Sequence, residues 1–442
     1  MYDYRYEPHR LIFMIDNKSF FASCEALRLG LNPMKAIIAV LSRQDNSSFG
    51  SGLIMAASPL AKRKYGLKNV MRARNIPKDA LRPGKDQLQL VEPHMNLYIK
   101  RSMQILEIFR KYAADEDIHV YSIDESMIDM TKSWRLFGDD PYLVGRKIQE
   151  DIHDQLGLYT TCGIGENPLL AKLAMDISAK HRMSMIDFWH YIDVPDTIWK
   201  IPNLEDVWGI NTRTANHLRR IGITNMYTLA HTDPEILKRE FGVIGEQLFA
   251  MSWGVDRSII RQKYFPKNKS YGNSQVLTRD YFDQREIEIV IREIGEQVAA
   301  RIRAHHLKTA CVGLFVGYSF AEREKGNKRG GFNIRQKIIS TDSNDELVHE
   351  LIALFRKKWR GEAVRVLGVD YSQLSPNDNQ QLTFFLTPSQ EIKRQRFDIT
   401  VDKIRKKYGF SSLVKASSLL SGATAIQRSK LVGGHNGGNA YE

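Results

Sequence analysis

Apolar positions along the chain fall into short runs of two different periods, and the order in which the periods alternate predicts the elements. Leu11 to Ile15 is a continuous apolar run that stops at Asp16, the pattern of a strand covered on both faces. Apolar side chains then recur at helical spacing from about Ser19 to Leu29. Strands are expected near Ala36 to Leu41 and Leu53 to Ala57, with a short helix near Leu60 to Tyr65. Next come a strand at Leu88 to Glu92, a helix from Met95 to Tyr112, and a hairpin with arms Ile118 to Ile123 and Met127 to Met130. A helix from Pro141 to Leu156, a strand from Thr160 to Ile164 and a helix from Pro168 to Ala179 follow. With the stretch from about Leu31 to Arg82 set aside as an insertion, this order is β-α-β-β-α-β, a split βαβ arrangement.

The pattern changes at Ile201, where short helical segments flank Val207-Trp208-Gly209-Ile210-Asn211. A polar, basic stretch from Arg257 to Asn273 then breaks the periodicity and predicts a linker containing Arg261, Lys263, Lys267 and Lys269. Beyond it a second β-α-β-β-α-β unit is expected: strand Ser274 to Leu277, helix Glu286 to Ala304, strands Thr309 to Tyr318 and Phe332 to Ser340, helix Asn344 to Trp359, and strand Val364 to Gln373. The chain is therefore expected to be α+β and multidomain, and 442 residues leave room for three or four domains.

Candidate chemistry concentrates at two strand ends. Asp124-Glu125 lies at the tip of a hairpin with apolar arms, and Asp16 ends the first strand. A pair of solvated acids at a turn is the ordinary explanation. Acids converging from different strands beside apolar neighbours favour a site for a hard cation such as Mg²⁺, which prefers oxygen ligands. Fixed carboxylates around two such ions suit nucleotidyl transfer from a triphosphate. Cations for the triphosphate are available at Lys172 and in the cluster Lys62, Arg63 and Lys64. The Gly209-containing hairpin, flanked by Arg213 and Arg219, is of a kind that offers backbone N–H groups to a phosphate without reading base sequence. Asn211 is of a type that tolerates left-handed backbone better than most residues.

Charge agrees with a polyanionic partner: the formal net charge is +13 and the sequence pI about 9.4. Cys24, Cys162 and Cys311 lie too far apart for a disulfide framework or a zinc motif, and buried thiols are expected. The first apolar run is too short for a signal peptide or a membrane span, so a cytoplasmic protein with no membrane partner is expected.

Three segments carry a resemblance. Met14-Ile15-Asp16-Asn17-Lys18-Ser19-Phe20-Phe21-Ala22-Ser23-Cys24-Glu25, Ser122-Ile123-Asp124-Glu125-Ser126, and Thr161-Cys162-Gly163-Ile164-Gly165-Glu166-Asn167 leading to Ala171-Lys172-Leu173-Ala174 resemble, in this order, the motifs of the Y-family translesion DNA polymerases. The resemblance runs from Leu11 to about His435. The wording around Val207 to Ile210 and the C-terminal segment are most similar to the UmuC-like branch, with the DNA polymerase V catalytic subunit and its Gram-positive, plasmid and phage relatives.

The resemblance implies a right-hand polymerase: a ferredoxin-like palm over residues 1–31 and 83–185, small fingers over 32–82, and a helix-hairpin-helix thumb over 186–260. A basic linker over 261–273, a little finger over 274–376 and a C-terminal tail over 377–442 complete it. It implies two Mg²⁺ ions held by Asp16, Asp124 and Glu125 with the backbone carbonyl of Asn17. Phe21 corresponds to the steric gate against ribonucleotides, with Phe20 beside it at the nucleotide. Lys172 and either Lys62 or Arg63 would meet the triphosphate; distance to Gly66 favours Arg63, and the small residues before the pair favour Lys62.

DNA contacts are implied at Gly209, Asn211, Arg213 and Arg219, and at Lys267 and Lys269. Gln381-Leu382-Thr383-Phe384-Phe385 resembles the pentapeptide that docks bacterial polymerases onto the sliding clamp. Primer-template DNA, deoxynucleoside triphosphates, the clamp and a UmuD-like accessory protein are the implied partners. The implied activity is low-fidelity translesion synthesis without proofreading, in DNA repair and the SOS response. Two other readings compete: another palm enzyme such as a nucleotidyl cyclase, which leaves the phosphate-binding hairpin unexplained, and an inert DNA- or clamp-binding factor, which leaves the three acids and Phe21 unexplained.

Overall fold

The computed structural model describes residues 2–42, 52–324, 330–377, 388–432 and 435–436. The chain divides after Lys263 into two compact units.

In the first unit the elements run β1 (Ile12–Asn17), α1 (Phe20–Arg28), β2 (Ile38–Leu41), β3 (Ile54–Ala57), α2 (Pro59–Tyr65), β4 (Gln89–Val91) and α3 (Met95–Phe109). They continue with β5 (Ile118–Val120), β6 (Glu125–Asp129), α4 (Pro141–Leu156), β7 (Thr160–Gly165), α5 (Pro168–Leu173) and β8 (Ile186–Trp189). The main sheet has the order β5-β6-β1-β7-β8. Its first four strands have the wiring of a split βαβ fold, and β8 adds a fifth strand, parallel to β7.

β1 is apolar from Ile12 to Ile15 because it is covered on both sides. Phe13 and Ile15 join the core with α3 and α4 side chains such as Ile105, Ile108, Val144 and Ile148. Ile12 and Met14 face Ala171 and Met175. The strand expected at Leu88 to Glu92 does not belong to this sheet. β4 pairs parallel with β2 in a separate three-stranded sheet, β3-β2-β4, and Leu88 joins the small core of Ala39, Leu41, Ile54 and Ala57. The inserted lobe's sheet therefore takes in Val91 and does not end at Arg82.

The rest of the unit is helical: α6 (Thr212–Arg220), α7 (Met226–Ala230), α8 (Pro234–Phe241) and α9 (Val243–Ser252), around a core that includes Leu204, Val207, Leu218, Leu229, Leu237 and Leu248. The N-terminal segment packs here. Tyr4 Oη donates to the Trp253 carbonyl, Tyr2 stacks on the Trp253 ring, and Glu7 pairs with Arg257.

The second unit comprises β9 (Tyr271–Tyr281), α10 (Gln284–Ala304), β10 (Leu307–Tyr318), α11 (Phe320–Glu324), β11 (Gly331–Thr341), α12 (Asn344–Lys358) and β12 (Val364–Pro376). The sheet order is β11-β10-β12-β9, so the expected element order is present with a different wiring from the first sheet. β9 begins at Tyr271, three residues earlier than Ser274. α10 and α12 cover one face. The opposite face is open to solvent, as the alternating exposure along β9 shows.

After Pro388 the chain returns over the helices as α13 (Pro388–Tyr408) and α14 (Ala425–Arg428). Arg303 on α10 binds Asp402, Lys415 binds Glu296, and Glu293 accepts hydrogen bonds from the backbone N–H groups of Thr424 and Ala425. All three cysteines are free and buried. Among the described residues no helix is long and apolar enough to cross a membrane.

Candidate active site

Antiparallel pairing sets Asp16 at the end of β1 directly opposite Glu125 at the start of β6. Asp124, one residue earlier, is fixed through its backbone: its carbonyl accepts from both the N–H and the side-chain amide of Asn17, each at 2.9 Å. Ser122 Oγ donates to the Asp124 carboxylate at 2.6 Å. The hairpin tip is thus tied to the strand that carries Asp16.

A third wall comes from α5. Asn167 caps it by accepting from the Leu170 N–H. The helix lies against β7 because Gly163 and Gly165 have no side chains. A Cβ on Gly163 would sit 2.1 Å from the Ala171 carbonyl oxygen, and one on Gly165 would sit 2.3 Å from the Ala171 nitrogen. The third motif therefore works by close approach, carrying Lys172 to the strand ends.

After Leu173 the helix widens into a π turn, Ala174–Ser178, followed by a 3₁₀ turn, Ala179–His181; the expected single α-helix to Ala179 is interrupted. Asp176 and Lys180 are brought to the site by this irregular segment. Lys172 Nζ lies 2.6 Å from Glu125 and 3.2 Å from Asp176, and Lys180 Nζ lies 2.6 Å from Asp16 and 2.8 Å from Asp176. The carboxylate oxygens of Asp16, Glu125 and Asp176 come within 4.8 Å of one another.

The site's electrostatics follow from burial. Burial pushes the Asp16 carboxyl up to about 6, with Lys180 pulling it down and Glu125 and Asp124 pushing it up. Lys180 stays more basic than usual because Asp16 and Asp176 outweigh its burial. Lys18 and Lys62 are held below the ordinary lysine range, chiefly by burial, and both feel Asp16. Lys62 on α2 therefore faces the acids and is half-buried, whereas Arg63 is exposed. Hard oxygen donors from two strands and a helix fit a metal ion, and the buried Oδ1 of Asn17 beside them has no partner among the described residues.

Phe20 and Phe21 start α1 and diverge as adjacent helical residues must. Phe20 is buried in the core. Phe21 is half-buried and stacks flat on Tyr98, with centroids 4.4 Å apart and planes at 15°. Tyr98 is itself fixed by donating to the fully buried Glu25 at 2.6 Å.

In the helical segment Gly209 takes the positive φ of +93°. Asn211 does not adopt the left-handed backbone expected of it. Its φ is −86°, and its side chain caps α6 by accepting from the N–H groups of Arg213 and Thr214. A polar side chain that can satisfy helix-end donors prefers this role to a strained turn. Arg213 is exposed, while Arg219 forms a bidentate pair with Glu205. Lys267 and Lys269 are exposed at the start of the second unit. Gln381 to Phe385 lie outside the described residues.

Asp176, Lys180 and Lys18 were absent from the sequence-based set. The signal that could have found the first two is the charged series Lys172, Asp176, Lys180, at intervals of four in an otherwise apolar helix that follows two glycines.

A split βαβ sheet whose adjacent strand ends carry acids, ringed by lysines, has the make-up of a palm-type nucleotidyl-transfer centre. The chain belongs to the impB/mucB/samB family and is a Y-family translesion DNA polymerase: the family's model matches residues 15–176 and that of its C-terminal domain residues 268–384. UvrX of Bacillus subtilis (strain 168) is 36% identical over 436 residues, covering 98% of this chain and 100% of that protein. DNA polymerase IV 2 of the same organism is 32% identical over 429 residues, covering 96% and 98%. DNA polymerase IV 2 of Halalkalibacterium halodurans is 31% identical, covering 96% and 99%. In fold, the chain is similar to a Y-family DNA polymerase chimera of Dbh and Dpo4, with a TM-score of 0.65 and 19% identity over 83% of this chain and 100% of that one.

Proposed function

We propose that this DNA-directed DNA polymerase extends primers opposite damaged template by two-ion nucleotidyl transfer, with Asp16, Asp124, Glu125 and the Asn17 carbonyl holding two Mg²⁺ ions. The observation that carries the reading is the placement of Asp16 opposite Glu125 on paired strands, with lysine ammonium groups within 2.6 Å of each. Bound there, Mg²⁺ lowers the pKa of a primer 3′ hydroxyl and neutralises charge on the triphosphate and its leaving group. The protein's own groups supply the rest. Lys62, Lys172 and, more peripherally, Arg63 offer charge-assisted bonds to phosphate oxygens. Phe21, braced by Tyr98, excludes a 2′ hydroxyl from the sugar pocket.

Primer-template DNA is gripped through phosphates, by the Gly209 hairpin, Arg213, Lys267 and Lys269, so binding is independent of sequence and weakens steeply with salt. Asn211 contributes by capping α6, and Arg219 through its pairing with Glu205. Gln381 to Phe385 dock the enzyme on the replication sliding clamp, a UmuD-like protein binds as accessory partner, and the enzyme works in the cytoplasm.

Extension of a labelled primer on intact and abasic templates, with Mg²⁺ and the four deoxynucleotides, tests the reading. Extension past the abasic site that is lost in Asp124→Ala/Glu125→Ala supports it. Equal extension by that double variant would remove the assigned metal site.

A further inference from the structure

Lys172 and Lys180 meet on one carboxylate, Asp176, and the way its oxygens are used sets it apart from the other two acids. Asp176 Oδ2 takes Lys172 and Oδ1 takes Lys180, so both oxygens are engaged by ammonium groups. Asp16 meets one ammonium, that of Lys180, closest at Oδ2, and Glu125 meets one, that of Lys172, closest at Oε1. Asp16 and Glu125 are thus each paired with one lysine and Asp176 with two, one at each oxygen. Proximity makes all three acids candidates for a cation; occupancy separates them.

The backbone explains how one acid reaches two lysines. Residues four apart in an α-helix drift by about 40° around the axis, so a straight helix would rotate Lys180 about 80° away from Lys172. The π turn over Ala174–Ser178 has a larger ring and turns less per residue, which offsets that drift and keeps Lys172, Asp176 and Lys180 on the side facing β1 and β6. Lys172 is held further by lying 5.9 Å from the centroid of the Tyr121 ring.

We infer that Asp176 is a positioning residue that tethers the Lys172 and Lys180 ammonium groups for the triphosphate of the incoming nucleotide, and is not a metal ligand. The inference rests on the polymerase reading above. Each ammonium has three donors; Lys172 donates to Glu125 and Lys180 to Asp176, and each makes a second ion pair, with Asp176 and Asp16 respectively. When a cation draws Asp16 and Glu125 to itself, each lysine retains its tether and regains a donor. Two lysines fixed on one carboxylate then face outward together, able to bind phosphate oxygens without first surrendering rotamer freedom. Untethered, they would follow Asp16 and Glu125 and compete with the cation.

The test is a double-mutant cycle on the full chain, bound to a primer-template with a dideoxy-terminated primer. The dissociation constant of the correct deoxynucleoside triphosphate is read for wild type, Asp176→Asn, Lys180→Ala and the double variant. Mn²⁺ binding without nucleotide is measured in parallel by electron paramagnetic resonance. Asp176→Asn is expected to weaken nucleotide binding about tenfold, the scale of one charge-assisted bond. The double variant is expected to lose less nucleotide affinity than the two single losses combined, because without Lys180 only the Lys172 tether is left for Asp176→Asn to remove, and in the Lys180→Ala background Asp176→Asn should leave the Mn²⁺ affinity unchanged. Additive losses, or a Mn²⁺ affinity that falls with Asp176→Asn in that background, would make Asp176 a ligand and overturn the inference. Unchanged nucleotide binding in Asp176→Asn overturns it too. Failure of the wild-type chain to take up any nucleotide would sink the polymerase reading and this inference with it.

Discussion

Phe21 shows how a single side chain can set substrate choice. Its ring is half-buried and lies flat on Tyr98, whose hydroxyl is bonded to a carboxylate with no exposure to solvent, so it cannot yield to an extra oxygen without disturbing three residues. Phe21→Ala should raise ribonucleotide incorporation relative to deoxynucleotide incorporation by at least about tenfold, the scale of a deleted pocket contact. Competitive incorporation measurements would show it, and unchanged sugar selectivity would reject the gate. His9 gives a pH-dependent case. Its imidazole is held above the ordinary value, first by its bond to Glu166, despite partial burial. A pKa raised in the folded state gives stability that is complete below the unfolded value, about 6.5, and is lost as pH rises through the folded one. His9→Gln should therefore lower Tm near pH 6 and converge on wild type at about pH 9. A difference that grows with pH would contradict the assigned partner.

Elements place these residues, and here the glycines of β7 matter most. A methyl on Gly163 would meet backbone atoms of α5 and of the π turn after it, the Ala171 oxygen at 2.1 Å and the Met175 nitrogen at 2.4 Å, so no rotamer change can relieve it. Gly163→Ala should cost about 1–3 kcal/mol by overpacking and shift Lys172 away from Glu125. Chemical denaturation would measure the first effect and nucleotide affinity the second; a variant with wild-type values for both would mean that α5 is free to slide. The apolar runs predicted these elements well because a strand between two helical layers has to be apolar on both faces, as β1 is. They misplaced β4, because which sheet a short strand joins depends on a distant partner, here β2. The π turn was invisible for a related reason: apolar spacing around Ala174 fits an α-helix, and the wider turn is set by what Asp176 and Lys180 meet in space. Asn211 was legible as a turn residue but not as a cap, since both roles use the same short amide. The acids were read from their strand-end positions alone, yet the Lys172, Asp176 and Lys180 ion pairs depend on three separate elements and leave only a faint charge rhythm in the chain.

At the scale of the molecule, a chain of net charge +13 keeps much of its second unit together by internal ion pairs. Arg303 is 5% exposed and is satisfied on one side by the Asp342 carbonyl and Asn344, both within the sheet-and-helix body, and on the other by Asp402 of α13. Glu293, also buried, relies on the backbone N–H groups of Thr424 and Ala425, and Tyr281 donates to the Gly422 carbonyl. Residues 388–432 are thus an integral cover for α10, placed there by charged groups that have few other partners. Ending the chain after residue 387 would keep both the four-stranded sheet and the clamp-motif segment but strip α10 of its cover, taking Asp402 from Arg303 and the Thr424 and Ala425 N–H groups from Glu293. Water then solvates both groups, so the cost is that of the contacts given up, about 1.5–3 kcal/mol for each hydrogen bond to a charged group. Calorimetry of the truncated chain should show the unfolding transition of the second unit at a lower temperature while that of the first unit holds its position. If truncation left the second transition where it was, the ion pairs between α10 and the returning segment would contribute nothing measurable, and the sheet with its two helices would be stable alone.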